Sequence, residues 1–445
     1  MNVSESSNMR KIRQSLAKSL LLILLSAALG TGLLILSELL PAGPMDRHLA
    51  DSAEIFRDTG KYPSLYTWCT SRLDNDSDAK LLQMAASVSA EKPVEAAMMT
   101  PRGMIGEKDP VQVVVSHYLE GEAYDRTEPY VRYWHGYAVI LRGLLLFLNY
   151  RQIRQVNLVL QVGLVLALCA VLWAGGKKTR GMIPPLLISY AMLMPPVIGR
   201  NIEYSIGFYT SMLFSLILVL LHRKGKAKEK ECLVLLFSGI FTCYWDVLTY
   251  PMAPLGFPMT VAFFLNTEDK ISSALRRGIR MGFFWTLGYG LMWLGKWTIG
   301  SLLTGRNFFA DGFGTIMERT SSVAEGESLT AAGTIGLNLR YFFRTPVSFA
   351  FLAYLLVMLA LLGIALVRGG GQKTEGMKKT ESLAASLLPF LLLALLSPVW
   401  YAVTKNHASI HPYLASKSLI VTTMALMCGL RLAWQIRKES GCCQA

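Results

Sequence analysis

Charge is scarce in this chain. Of 445 residues, 17% are charged and 52% are hydrophobic, and the mean hydropathy is +0.38. That balance excludes a soluble domain of this length. Acid is scarcer than base, with 30 Asp and Glu against 44 Lys and Arg, a net charge of +14. In a soluble protein such an excess points to nucleic acid. Here the basic residues sit in short connections between apolar runs and no aromatic-interleaved basic groove is present, so nucleic-acid binding is disfavoured.

Cysteine supplies no framework. Cys169, Cys232, Cys243 and Cys428 lie in or near apolar runs, Cys69 is alone in a polar segment, and Cys442 and Cys443 lie in the C-terminal tail. No C-x-x-C or mixed His/Cys spacing suggests zinc, and the terminal pair reads as tail before it reads as an acylation site. Several catalytic signatures are missing too. There is no G-x-S-x-G and no H-E-x-x-H, and the glycine run 369–371 is not followed by the Gly-Lys-Ser/Thr of a phosphate loop. Alternating strands of a membrane barrel are absent from the pattern.

What is present is a series of apolar runs of helical length. They lie at about residues 17–40, 156–174, 182–198, 206–221, 232–244, 251–265, 281–303, 347–367, 383–403 and 414–432. The first is longer than a signal h-region and has no clear cleavage site, so it reads as a retained span. Arg10, Lys11, Arg13 and Lys18 precede it and place the N-terminus in the cytoplasm. The basic clusters at 177–180, 223–230, 270–280, 368–379 and 437–438 then all fall on that same side. The expectation is an all-α integral membrane protein of ten transmembrane helices. A tail (1–19) precedes one polytopic domain (20–435), and a short tail (436–445) follows, both tails cytoplasmic.

Two long outer-face segments interrupt the spans, at 41–154 and 304–345. The first holds three helix-like pieces, at 45–56, 76–88 and 130–150, the last suited to the interface plane. The runs at 232–244 and 251–265 are the least regular, because Pro251, Pro254 and Pro258 interrupt them; broken or re-entrant helices are the alternatives.

This topology puts His48, His117, His135, His407 and His411 outside, leaving only His222 within. Ionisable residues at span edges are costly unless they line a cavity. Asp46, with Asp51 and Glu54 as rivals, could act as a general base, or simply cap a helix. Asp246, among aromatics, could hold a substrate hydroxyl, or cap its own loop. Arg200 and Glu203 are close enough to pair with each other. His135 belongs to an aromatic stretch that anchors at the interface or stacks on a sugar. Arg306, Arg319, Arg340 and Arg344 suit a phosphate, or serve as juxtamembrane anchors. His407 and His411, four residues apart, can point at one ligand. Neutral donors to phosphate and metal ligands are both open, but no third ligand stands at metal spacing.

The layout, with LDNDSDAKLLQMA at 73–85, YWDVLTYP at 244–251 and KNHASIHPYLASKSL at 405–419, resembles bacterial multi-span members of the GT-C superfamily of membrane glycosyltransferases. The resemblance implies a bacterial plasma-membrane enzyme of inverting type. It would transfer a sugar from a polyprenyl-phosphate donor to a cell-envelope acceptor on the outer face. It places the catalytic base in the first outer loop near the end of span one, where Asp46 stands. The adjacent Asp-Glu pair of some GT-C families is missing, with Arg47 and His48 next instead. Asp246, His135, Arg306, Arg340, His407 and His411 become the substrate-binding set. No cofactor is assigned, and a divalent cation stays open. The alternatives are a transporter or lipid-linked-sugar flippase, and an envelope-assembly scaffold. The long outer segments and the one-sided polar residues count against a carrier.

Overall fold

A computed structural model describes residues 3–324, 326–368 and 376–442; the glycine run 369–371 and Cys443, both raised above, lie outside them. The first apolar run folds as α1 (Val3–Ser37). Pro41 then opens α2 (Ala42–Thr59), an amphipathic helix whose Met45, Leu49, Ala53 and Phe56 are buried. α3 (Asn75–Ala86) is capped by Asp74, whose carboxylate accepts the Ser77 amide. α4 (Pro93–Met99) and α5 (Pro110–Leu119) follow, the latter with a reciprocal Asp109–Gln112 capping box. A small antiparallel hairpin, β1 (Arg102–Met104) with β2 (Arg126–Glu128), flanks α5.

Residues 130–150 do not form one helix. Only α6 (Tyr137–Leu145) is helical, because His135 adopts φ +60° just before it. Asn149 then starts α7 (Tyr150–Ala174) with a second capping box to Gln152. After α8 (Lys177–Arg180), the run at 182–198 is also broken, into α9 (Ile183–Met192) and α10 (Pro195–Ile198). Pro195 and Pro196 lack amide hydrogens and Met194 sits at φ +56°, so the helical ladder stops there.

The remaining runs give α11 (Ile202–Arg223), α12 (Ala227–Trp245), α13 (Met252–Leu265) and α14 (Ile271–Thr304). The second long segment forms α15 (Phe308–Thr320), a hairpin of β3 (Val323–Ala324) and β4 (Glu327–Ser328), and α16 (Ala331–Phe343). Then come α17 (Val347–Arg368), α18 (Gly376–Val403), α19 (Lys405–Ile410), α20 (Pro412–Ala415), a 3-10 turn at Ser416–Leu419 and α21 (Ile420–Cys442).

Among the described residues, six stretches are long and apolar enough to cross a membrane: Arg13–Ser37, Tyr150–Ala174, Ile202–Arg223, Val347–Ala365, Ser382–Val403 and Pro412–Lys438. Large apolar side chains face outward along them, among them Leu24, Val159, Phe349 and Leu391, as lipid contact requires. The fold is all-helical apart from two small hairpins, with the helix lengths and apolar surface of a multi-pass membrane protein.

Every residue of α13 is buried. At 14 residues it is about 21 Å long, shorter than a hydrocarbon core. It forms the centre of the bundle, packed among α11, α12, α18 and α21. Beside it, α12 and α14 nearly touch: a Cβ at Gly239 would lie 2.2 Å from the Trp285 carbonyl oxygen, and one at Gly288 2.4 Å from that of Leu236.

The two long segments and the 404–419 connection pack together at one end of the bundle. Thr70 donates to the Arg344 carbonyl at 2.9 Å, Arg132 to Thr315 at 2.9 Å, Asn338 to the Ala408 carbonyl at 2.9 Å, and Asn406 to the Val323 carbonyl at 2.9 Å. The other end is held by buried Glu231, paired with Arg277 at 2.7 Å and Arg280 at 3.3 Å.

Candidate functional site

The site begins with a rivet. The Asp78 carboxylate, fully buried, accepts the amide hydrogens of Ile202 at 3.0 Å and Glu203 at 3.1 Å, capping α11. It also accepts from Asn201 Nδ2 at 3.0 Å and from the Tyr150 hydroxyl. Arg154 sits over the Tyr150 ring and donates to its oxygen at 2.6 Å and to Asn75 Oδ1 at 2.7 Å. Asn201 closes the join with a two-way bridge: its Oδ1 takes the Asp74 amide at 3.1 Å and its Nδ2 reaches the Asp74 carbonyl at 3.0 Å. Burial pushes the Asp78 carboxyl up from its ordinary range, and the Arg154 charge opposes that. With so many donors, Asp78 has no capacity left for a substrate.

This join sets Asp74 and Glu203 within electrostatic reach of each other. Both are buried. Ser77 serves Asp74 through its amide at 3.0 Å and its hydroxyl at 3.1 Å. Burial, with the charges of Asp78 and Asp76, still raises the Asp74 carboxyl to about 6. Glu203 is buried beside the Ser77 side chain. A buried carboxylate is expensive, and here it adjoins a second acid.

Cations surround the pair. Lys417 is buried, donates to the Tyr413 carbonyl at 2.9 Å, lies 4.1 Å over the Tyr204 ring, and feels both Asp74 and Glu203. Arg72 is sandwiched between Tyr62 at 3.8 Å and Tyr413 at 4.2 Å. Arg72, Lys417, Thr70 and Ser416 line a void of about 20 Å³, room for about one water.

The two histidines form the next wall. His411 caps the end of α19 instead of continuing it, yet the two rings are 5.4 Å apart. His411 Nδ1 is 3.0 Å from the Tyr413 hydroxyl. His407 is buried beside the Leu248 and Thr249 backbone. Burial, with the Arg319 and His411 charges, holds His407 well below the usual imidazole range. Burial and then Arg319, Lys80 and Arg72 lower His411 to about 4. Both rings are therefore neutral at neutral pH and offer one donor and one acceptor each. Among the described residues no group of three His, Cys, Asp or Glu side chains could hold a metal ion.

The residues singled out in the sequence separate into two sets. His407 and His411 come together with the Asp246 loop. Asp246 is buried and capped by the Thr249 amide at 2.9 Å and by its hydroxyl, which shapes the turn beside His407; burial raises its carboxyl to about 6. The other set lies apart. Asp46 is exposed on α2 and accepts from the Tyr118 hydroxyl at 3.2 Å; Asp51 and Glu54 are exposed on the same helix. Arg306 and Arg340 are exposed. His135 is buried, bonded to the Tyr130 carbonyl at 2.7 Å and the Tyr137 hydroxyl at 3.0 Å; burial and the Lys296 charge lower it to about 3. It fixes the turn into α6. Arg200 is exposed and reaches the Pro196 carbonyl at 3.5 Å, apart from Glu203.

Sequence reasoning passed over Asp74, Arg72 and Lys417. Asp76 and Asp78 fell in the amphipathic piece at 76–88, and Asp74 just before it. The even spacing of the acids at 74, 76 and 78, among Asn75, Ser77 and Lys80, was the one available signal.

An apolar groove of about 400 Å³ opens on the side of the bundle, between α6, α7, α11 and α12. Ile140, Val156, Leu160, Leu213 and Phe241 line it and remain partly exposed. Tyr137 also lines it, and it lies close enough to Glu203 to feel that charge. The groove thus approaches the acid pair from the lipid side.

Comparison with family models, curated proteins and solved structures found no match to this chain.

Proposed function

We propose that this chain is a multi-pass membrane glycosyltransferase of the GT-C type, acting on a polyprenyl-phosphate sugar and a cell-envelope acceptor. One observation carries the reading: a buried acid pair, Asp74 and Glu203, lies among cations, Lys80 reaches both Glu203 and the neutral His411, and Tyr137 of a lateral apolar groove feels the Glu203 charge. In this reading the chain lies in a bacterial plasma membrane, passes it ten times, keeps both termini in the cytoplasm and presents the site outside.

The chemistry assigns roles. The polyprenyl tail lies in the groove between α7 and α11. The acceptor oxygen attacks the anomeric carbon while the bond from that carbon to the phosphate oxygen breaks. The electron pair leaves with the phosphate, whose charge Lys80, Arg72 and Arg319 offset. The acceptor proton passes to Asp74, a base poised near neutrality. His407 and His411 donate to sugar or phosphate oxygens. Asp74 takes the base role in place of Asp46, because Asp46 stands in solvent while Asp74 lies in the first long segment beside the cation cluster.

The test uses membranes containing the full chain, incubated with polyprenyl-phosphate sugars of defined head group. A glycosylated product is expected, falling by about 100-fold or more in Asp74→Asn. Wild-type rates in that variant would remove the base assignment. The lateral opening of the groove favours a second reading, a lipid-linked-sugar flippase. Movement of a labelled lipid across vesicles without product formation would replace the first reading with that one.

A further inference from the structure

A second polar cavity lies outside this site. About 340 Å³ in volume, it is lined by Ile55, Arg151, Arg154, Gln155, Leu158 and Arg200, with no carboxylate among them. We infer that it is a binding site for a phosphate or phosphodiester anion, of the kind carried by an acidic lipid headgroup.

Three observations support it. The first is charge. Three guanidinium groups share one cavity, two of them in the opening turns of α7, where the helix end already carries partial positive charge. Arg151 and Arg200 have no carboxylate partner among the described residues. An anion here relieves like-charge repulsion that the chain itself leaves in place.

The second is geometry. Arg154 is held by Asn75 and Tyr150 through one nitrogen, while its Nε is buried without a partner. A fixed guanidinium with a free N–H, flanked by two exposed ones, matches the several acceptor oxygens of a phosphate.

The third is position. From the cavity, α7 continues with Val159, Leu160 and Leu166 facing outward, part of the apolar wall. The cavity therefore stands at the border of polar and apolar surface, the level at which lipid phosphates lie. Its link to the acid pair is short: Arg154 holds Asn75, the neighbour of Asp74. The inference needs only a membrane-embedded chain and does not depend on the glycosyltransferase reading.

The experiment is thermal melting and lipid retention of the purified full chain in neutral detergent. Short-chain phosphatidylglycerol, short-chain phosphatidylcholine and inorganic phosphate are added separately. Phosphatidylglycerol is expected to raise the melting temperature and to bind about tenfold better than phosphatidylcholine. The double variant Arg151→Gln/Arg200→Gln changes only exposed side chains, so it is expected to melt normally without lipid and to lose that preference. Equal protection by inorganic phosphate, also lost in the variant, would assign the site to a soluble anion. Two results would overturn the site: an undiminished preference in the variant, or no response of the wild type to either anion.

Discussion

Asp78 accepts the Ile202 amide at 3.0 Å, although 124 residues separate them. This contact joins the first long segment to the head of α11, and so brings Asp74 beside Glu203. It is also sensitive to mutation. Asp78→Ala would strand two helix amides, Asn201 and the Tyr150 hydroxyl in a dry interior. A loss of about 3 kcal/mol or more is expected, read as a lower melting temperature and poor recovery of monodisperse protein. Asp78→Asn should lose less, since it keeps an acceptor.

The pH dependence follows from Asp74. Its carboxyl is raised to about 6 from 3.8 by burial. Transfer should therefore fall as pH drops through about 6, and Asp74→Glu should keep a shifted limb where Asp74→Asn has no activity left to titrate. For stability the sign is the reverse of an ordinary salt-bridged acid. The folded state binds the proton first, so the stabilisation is present below about pH 4 and is lost as pH rises through about 6. Melting of Asp74→Asn between pH 4 and 7 should lack that slope.

His411 acts in the opposite direction. Its pKa is lowered from 6.5 to about 4, first by burial. Its contribution is complete above pH 6.5 and lost as pH falls toward 4. Against an Asp74→Asn parent, in which Asp246 still contributes its own slope, the added His411→Gln change should remove the part of the melting profile that rises between pH 4 and 6.5. An unchanged profile would show that the imidazole does not titrate there.

Where α12 meets α14, no side chain fits between the backbones. Gly239→Ala places its Cβ against the Trp285 carbonyl and should cost about 1–3 kcal/mol. Gly290→Ala, on the same α14 but with nothing within 4 Å, should be neutral or stabilising by up to about 1 kcal/mol, the helix-propensity gain. Paired melting curves would separate close approach from helix propensity.

Glu38 and Arg142 form a buried ion pair at 2.5 Å, and Arg142 also holds Ser37 at 2.6 Å and the Ala85 carbonyl at 3.1 Å. Arg142→Met leaves an acid buried without its partner and should destabilise by about 3–5 kcal/mol. The double change Glu38→Leu/Arg142→Met should recover much of that, measured as thermal stability in detergent.

The chain by itself determined a great deal. The length and apolarity of its runs demand helices in lipid, since every backbone group must be satisfied internally there. Pro195 and Pro196 carry the break between α9 and α10 in their missing amide hydrogens. The clustering of polar segments at one end was legible from the order of runs and charges. The pairing of His407 with His411 was visible from their spacing, although the helix between them ends early.

Which acid matters was decided only in three dimensions. Asp46 and Asp74 are alike in sequence terms, each an acid at the head of an amphipathic helix in the same long segment. They differ in what covers them. Asp46 meets solvent, while Asp74 is roofed by a bridge to Asn201 and set against Glu203. Burial depends on partners more than 100 residues away, and it is burial that raises a carboxyl toward neutrality. Local pattern carries no record of such partners, so Asp74, Glu203 and Lys417 became a cluster only when the helices packed.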